Sequence, residues 1–248
     1  MANPAPITLE QLFRYHRALP HQQAAISELE ADLKANGYEV AMRRDRPWFA
    51  TWSQSGKQPE QPAAGQARTV RPTNPLSGFP WFPQLDNGPE GWRQCQTSSI
   101  AMCLAYLDVD GIRDDVDYLK VVQRFGDTTS QPAHQQALAS LGVRARFVQS
   151  CSVQQLQAEI RSGLPAAIGV LHHGPVGAPS GGGHWIAAYG FTADGWVVND
   201  PYGELDLQRG GWAQQGGSSG RRQVYSYRGL NPRWLVEGPG SGWAWLFS

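Results

Sequence analysis

Residues 90–107 read EGWRQCQTSSIAMCLAYL, and this stretch decides how the rest of the chain is read. Small polar residues, Gln96 to Ser99, lead into Ile100, Leu104 and Leu107, which recur on one stripe at helical spacing. Cys95 therefore stands at the mouth of a helix. Unpaired backbone N–H groups and the positive end of the helix dipole favour a thiolate there, and the same groups can hold an oxyanion. Cys103 lies two turns deeper, between Met102 and Leu104; it reads as inert core, a common fate of free cysteine. Cys151, in QSCSVQQL (149–156), also precedes a helix but has no base near it in sequence, and it reads as structural.

A cysteine nucleophile needs a base, and the base an orienting group. The candidate base is His184 in SGGGHWIAAYGF (180–191). Three glycines let the chain approach a site closely, and the histidine opens a strand with Ile186, Ala188 and Gly190 on one face. The following strand, GWVVNDP (195–201), is joined to it through Asp194–Gly195, a hairpin turn. Its far end returns Asn199 and Asp200 beside His184. These two neighbours face opposite sides of the strand, and either could hold the imidazole in the tautomer needed for attack.

Outside these motifs the chain divides into three parts. Residues 1–53 form a small helical module. ITLEQLFRYHRALPHQQAAISELEADLKANG (7–37) reads as two short helices, with Thr8 and Gln11 as a capping box, a break at Pro20 and a stop at Gly37. Residues 54–75, rich in Pro, Gln and Gly, read as a linker. Residues 76–248 carry helices near 95–107, 116–125, 132–142 and 153–163. Strands follow at 166–173, 184–191 and 195–201, with RQVYSYRG (222–229) and GWAWLF (242–247) as aromatic, β-prone edges. Helices first and antiparallel strands second predict an α+β fold without βαβ repeats.

Composition narrows the function classes. With 41% hydrophobic residues and ten tryptophans in 248 residues, the chain can build a substantial core. Twenty-one basic residues balance 21 acidic ones, so no nucleic-acid partner is expected. The three cysteines form no CxxC unit, and no disulfide framework or zinc finger follows. His172, His173, His184 and Cys151 are the side chains that could gather around zinc. Adjacent histidines on a strand point oppositely, so no metal and no other cofactor is expected. DVDGIRDD (108–115) carries its glycine at the fourth loop position instead of the sixth that a calcium loop requires, and reads as a polar turn. No secretory signal and no membrane-inserting segment is apparent, which predicts cytosolic synthesis.

FPQLDN (82–87), QCQTSSIAMCLAYL (94–107), GLPAAIGVLHHG (163–174), GGHWIAAYGF (182–191) and VVNDPYGE (197–204) together resemble the peptidase C39-like family of papain-like cysteine peptidases. The resemblance covers roughly residues 79–205. It implies a papain-like fold, a helical lobe packed on an antiparallel sheet, and a Cys95–His184–Asp200 triad, with Asn199 as the rival to Asp200. Gln84, eleven residues before Cys95, matches the glutamine that donates to the oxyanion. The implied function is hydrolysis of a peptide or amide bond. The appended helices resemble those of bacterial and phage proteins that attack cell-wall peptides, which implies a peptidoglycan substrate, with release to the cell wall or incorporation in a virion. The N-terminal helices would then contact a virion or other protein partner. Two alternatives stay open: a non-catalytic peptide-binding or virion module, and a leader-peptide-processing protease. Tyr225, Trp234 and Trp243 are the aromatic candidates for a substrate cleft.

Overall fold

The computed structural model describes residues 38–42, 50–54 and 72–248. The chain forms two units, residues 1–69 and 70–248. Of the first, the structure describes a strand pair, β1 (Tyr38–Met42) antiparallel to β2 (Ala50–Gln54). These strands begin just after Gly37, where the helical reading stopped. The two helices expected over 7–37 lie outside the described residues.

In the second unit five helices surround a mixed-length antiparallel sheet. The helices are α1 (Cys95–Tyr106), α2 (Asp115–Val122), α3 (Gln131–Ser140), α4 (Val153–Arg161) and α5 (Tyr227–Trp234). The strands are β3 (Ala145–Cys151), β4 (Ala166–Val170), β5 (His184–Phe191), β6 (Gly195–Asn199), β9 (Gln223–Ser226) and β10 (Gly242–Phe247), in the order β3-β10-β4-β5-β6-β9. A separate ribbon pairs β7 (Gly203–Leu205) with β8 (Trp212–Gln215). This is the expected α+β arrangement of helices on an antiparallel sheet, with one difference in chain order. β3 falls between α3 and α4 and pairs with the C-terminal strand β10, so the strands do not simply follow the helices.

GWAWLF, expected at an edge, lies inside the sheet between β3 and β4. Its unbroken apolar run explains the place: Ala244, Trp245, Leu246 and Phe247 are all buried, and a strand covered on both faces needs apolar groups on both. RQVYSYRG is a strand only over Gln223–Ser226. The Ser226 side chain then accepts from the Gly229 N–H and starts α5, which a β-propensity reading of the aromatics missed.

Helix α1 runs through the centre. Every residue from Gln96 to Leu104 is buried, so the helix has no solvent face for its middle two turns. A helix enclosed in this way is held by packing rather than by an amphipathic stripe. Each fully buried large side chain, Leu104 for example, contributes about 1.5–3 kcal/mol. Polar residues on α1 are tied individually: Ser99 Oγ donates to the Trp185 carbonyl on β5 at 3.0 Å. Ser98 Oγ bonds the buried Asp115 carboxylate, which also accepts from Asn87 Nδ2 at 2.7 Å. Asp115 belongs to the segment that mimicked a calcium loop, and here it fastens α2 to α1. Burial pushes its carboxyl above the ordinary range, against the lowering effect of those two donors.

Residues 72–75, the end of the expected linker, are fixed on the sheet. Asn74 donates to the Phe191 carbonyl and accepts from the Phe191 N–H, both at 2.9 Å. Gly190 leaves the room for this approach, since a Cβ there would overlap Pro75.

Candidate active site

Two element starts build the site. Cys95 is the first residue of α1, and His184 the first of β5. The Ser99–Trp185 bond, one turn along the helix and one residue along the strand, locks these starts to each other. Cys95 lies close enough to the His184 ring to help raise its pKa, and both residues border the same cleft. The ring's Nε2 lies 2.7 Å from Asp200 Oδ1, which leaves Nδ1 for the sulfur. Asp200, one residue beyond β6, returns to His184 because the β5–β6 hairpin carries a bulge between Ala188 and Gly190.

Of the two acceptors offered by the sequence, Asp200 meets the imidazole. Asn199 points the other way, donating to the Pro80 carbonyl at 2.6 Å and accepting from the Arg222 N–H at 2.8 Å. The Asp200 carboxylate is fully buried and has three donors: His184, the Tyr202 N–H at 3.2 Å and the Tyr225 hydroxyl at 3.1 Å. Tyr225 thus stands behind the site rather than in a cleft.

Electrostatics separate the titratable groups. Burial alone would lower the His184 pKa. The Asp200 charge and hydrogen bond, reinforced by Cys95, outweigh it and raise the ring to about 10. At neutral pH the ring is therefore held as imidazolium beside the sulfur. His172, its ring centroid 5.9 Å away, goes the opposite way: burial first, then the charges of His184, His173 and Arg233, lower it to about 4. Burial pushes the Cys151 thiol up to about 12 and the Cys103 thiol well above its ordinary value.

The N-terminus of α1 differs from the others. Asp114, Ser130, Ser152 and Ser226 cap α2 to α5 with side-chain oxygens, whereas no side chain caps α1. The first-turn N–H groups are thereby left to an incoming anion. Gln84 sits in a 3₁₀ turn, Gln84–Asp86, that folds onto a second turn, Gly91–Arg93, so the eleven-residue separation from Cys95 is compacted. Its amide donates one N–H to the Gly91 carbonyl at 2.8 Å, its backbone N–H bonds Pro201, and its Oε1 is buried without a partner. Gln94 is buried also, directly before the cysteine.

A cleft of about 490 Å³ opens in front of Cys95 and His184. Arg93, Gln96 and Gln131 border it on one side, Trp185 and Trp243 from the sheet, and Trp234 from the end of α5. Two of the three aromatic candidates therefore border the cleft, and Tyr225 does not.

A family model of the Peptidase_C39 like family matches residues 76–219, more than half of the chain. The chain belongs to this family. Among curated proteins no significant match is found. A C39-like peptidase from Bacillus anthracis is similar in structure, at 16% identity and a TM-score of 0.43, over 70% of this chain and 96% of that one. So is the peptidase domain of Streptococcus ComA, a bifunctional ABC transporter of a quorum-sensing pathway, at 15% identity and a TM-score of 0.45, over 68% of this chain and 98% of that one.

Two parts of this C39-like site were invisible in the sequence. Trp212, on β8, lays its ring across His184 with centroids 4.7 Å apart and planes at 86°, and it stacks on Tyr202 at 4.4 Å. Arg233 is wholly buried and donates five hydrogen bonds, two to the Leu207 carbonyl and one each to those of Leu171, His173 and Gly174, at 2.8–3.1 Å. It fixes the strap that runs from β4 to His184. That strap also corrects the sequence reading of His172 and His173. Because β4 ends at Val170, the two rings are not on opposite strand faces but meet at 4.0 Å. Among the described residues no group of three or more His, Cys, Asp or Glu is gathered as metal ligands. Nor does any described helix have the length and apolarity to cross a membrane.

Proposed function

We propose that this C39-like chain hydrolyses a peptide or amide bond with Cys95 as nucleophile, His184 as proton carrier and Asp200 as the group that orients it. The observation that supports this most directly is the buried His184 Nε2–Asp200 pair at 2.7 Å, on a ring that borders the same cleft as Cys95. The Cys95 thiolate adds to the scissile carbonyl carbon, and the oxyanion is received by the uncapped first turn of α1, with the second N–H of the Gln84 amide as an added donor. The C–N bond then breaks as His184 delivers its proton to the leaving amine. His184 next takes a proton from water, whose oxygen attacks the thioester; the acid is released and Cys95 is restored.

The substrate in this reading is a peptide, and the cell-wall peptides of peptidoglycan are the class suggested by the N-terminal segment. Mass spectrometry of peptide libraries and of purified peptidoglycan, after incubation with wild type and Cys95→Ala, tests both levels. New free amines from wild type and none from Cys95→Ala are the expected result. Products from libraries alone would remove the cell-wall assignment. Reducing sugars, or equal products from the variant, would overturn the cysteine mechanism, and binding without any product would leave a peptide-binding module.

A further inference from the structure

The cleft has a rim whose chemistry the hydrolytic reaction does not require. The turn between α5 and β10 carries Val236 and Glu237, and β10 itself carries Trp243, all bordering the cleft. Val236 is 52% and Trp243 46% exposed, although large apolar side chains beside a catalytic cleft are costly to leave in water without a ligand to cover them. Between Trp243 and Trp185 the sheet has a glycine, Gly169. A Cβ there would crowd the Trp185 ring at 3.3 Å and the Trp243 Cβ at 3.4 Å, so the glycine lets these two side chains pack close together on the cleft wall.

The charge carried by this turn is negative, whereas His184, Arg93 and Arg233 bring positive charge to the cleft elsewhere. Glu237 is exposed and takes part in no ion pair among the described residues. The two cleft arginines are occupied: Arg93 is paired with Asp127 at 2.9 Å, and all five N–H groups of Arg233 are spent on backbone carbonyls. The turn itself is fixed, because the Trp234 Nε1–H donates to the Trp243 carbonyl at 3.0 Å and the Glu237 N–H to Ser241 Oγ at 3.1 Å. Exposed Val236 and Trp243 and an unpaired carboxylate on one cleft border fit a long methylene stem that ends in a cation, which the carboxylate attracts and the ring face accepts.

We infer that this rim is a specificity subsite for a basic side chain, a lysine or a related diamino acid, in the peptide substrate. The inference rests on the peptide-hydrolase reading for its choice of ligand. Binding separates the two, because it needs no turnover. Peptides carrying lysine, Nε-acetyl-lysine or norleucine at each position in turn are titrated against Cys95→Ala, following tryptophan fluorescence. At one position lysine should bind about fivefold more tightly than acetyl-lysine, the size expected of a partly exposed ion pair with a cation–π contact. Adding Glu237→Gln should close that gap, and Trp243→Ala should weaken the lysine and norleucine peptides alike. Equal affinity for lysine and acetyl-lysine at every position, no binding at all, or a gap that survives Glu237→Gln would overturn the subsite. Selective binding combined with no hydrolysis by wild type would overturn the catalytic reading alone.

Discussion

His184 Nε2 and Asp200 Oδ1 lie 2.7 Å apart with neither side chain more than 3% exposed. A bond so enclosed holds the ring in one orientation and keeps its proton from competing water.

Replacing Asp200 should therefore cost far more activity than its distance from the scissile bond suggests. Asp200→Asn is expected to lower kcat on the order of 100-fold or more, with a smaller change in KM, since the amide cannot stabilise the imidazolium. Tyr225→Phe removes a donor to Asp200 and also the acceptor of the Leu205 N–H at 2.8 Å. It should reduce kcat severalfold and stability by about 1–3 kcal/mol. Steady-state kinetics and urea unfolding measure the two effects.

The three thiols should separate under alkylation. Cys95 is partly accessible, whereas Cys103 and Cys151 are buried and their thiols are pushed upward by that burial. Iodoacetamide at near-neutral pH should modify the tryptic peptide of Cys95 first. His184→Ala should slow that labelling by removing the imidazolium. Equal labelling of all three thiols in the folded protein would contradict the assignment of Cys95 as nucleophile.

The raised His184 pKa makes stability depend on alkaline pH. Its folded value of about 10 exceeds the ordinary 6.5, so the folded state binds the proton more tightly. The contribution is complete below about pH 6.5, declines above it and is lost as pH rises through 10. Urea midpoints of wild type should fall over this window, and those of Asp200→Asn should fall less. A parallel decline in both proteins would show that the His184–Asp200 pair is not the source.

Arg233 supplies a structural test. Arg233→Met would leave the carbonyls of Leu171, His173, Gly174 and Leu207 without its donors. A loss of about 1–3 kcal/mol for each one left unsatisfied puts the total above 3 kcal/mol. Arg233→Lys retains the charge but not the planar fork and should recover only part. Thermal unfolding reads the stability. A fall in kcat in the folded lysine variant would show that the strap also sets the position of His184.

The local signals were strong wherever one element determined its own start. Cys95 opens α1 and His184 opens β5, and the strands 184–191 and 242–247 match their apolar patterns to the residue. Glycine stops, serine caps and hairpin turns are local chemistry, so a sequence states them directly. The α+β character and the pairing of β5 with β6 follow from the same signals.

Tertiary structure decided what depends on residues far apart. Strand alternation left both Asn199 and Asp200 open as partners of His184, and the family resemblance favoured Asp200. A bulge in β5 and the bond from Asn199 to Pro80, 119 residues away, assign Asp200 to the ring. It also enclosed β10 between two strands and brought Trp212 across the imidazole. Arg233 was turned inward onto carbonyls 26 to 62 residues away. Periodicity reports which face of an element is apolar, but not which partner will cover it. That choice is made only when the whole core packs at once.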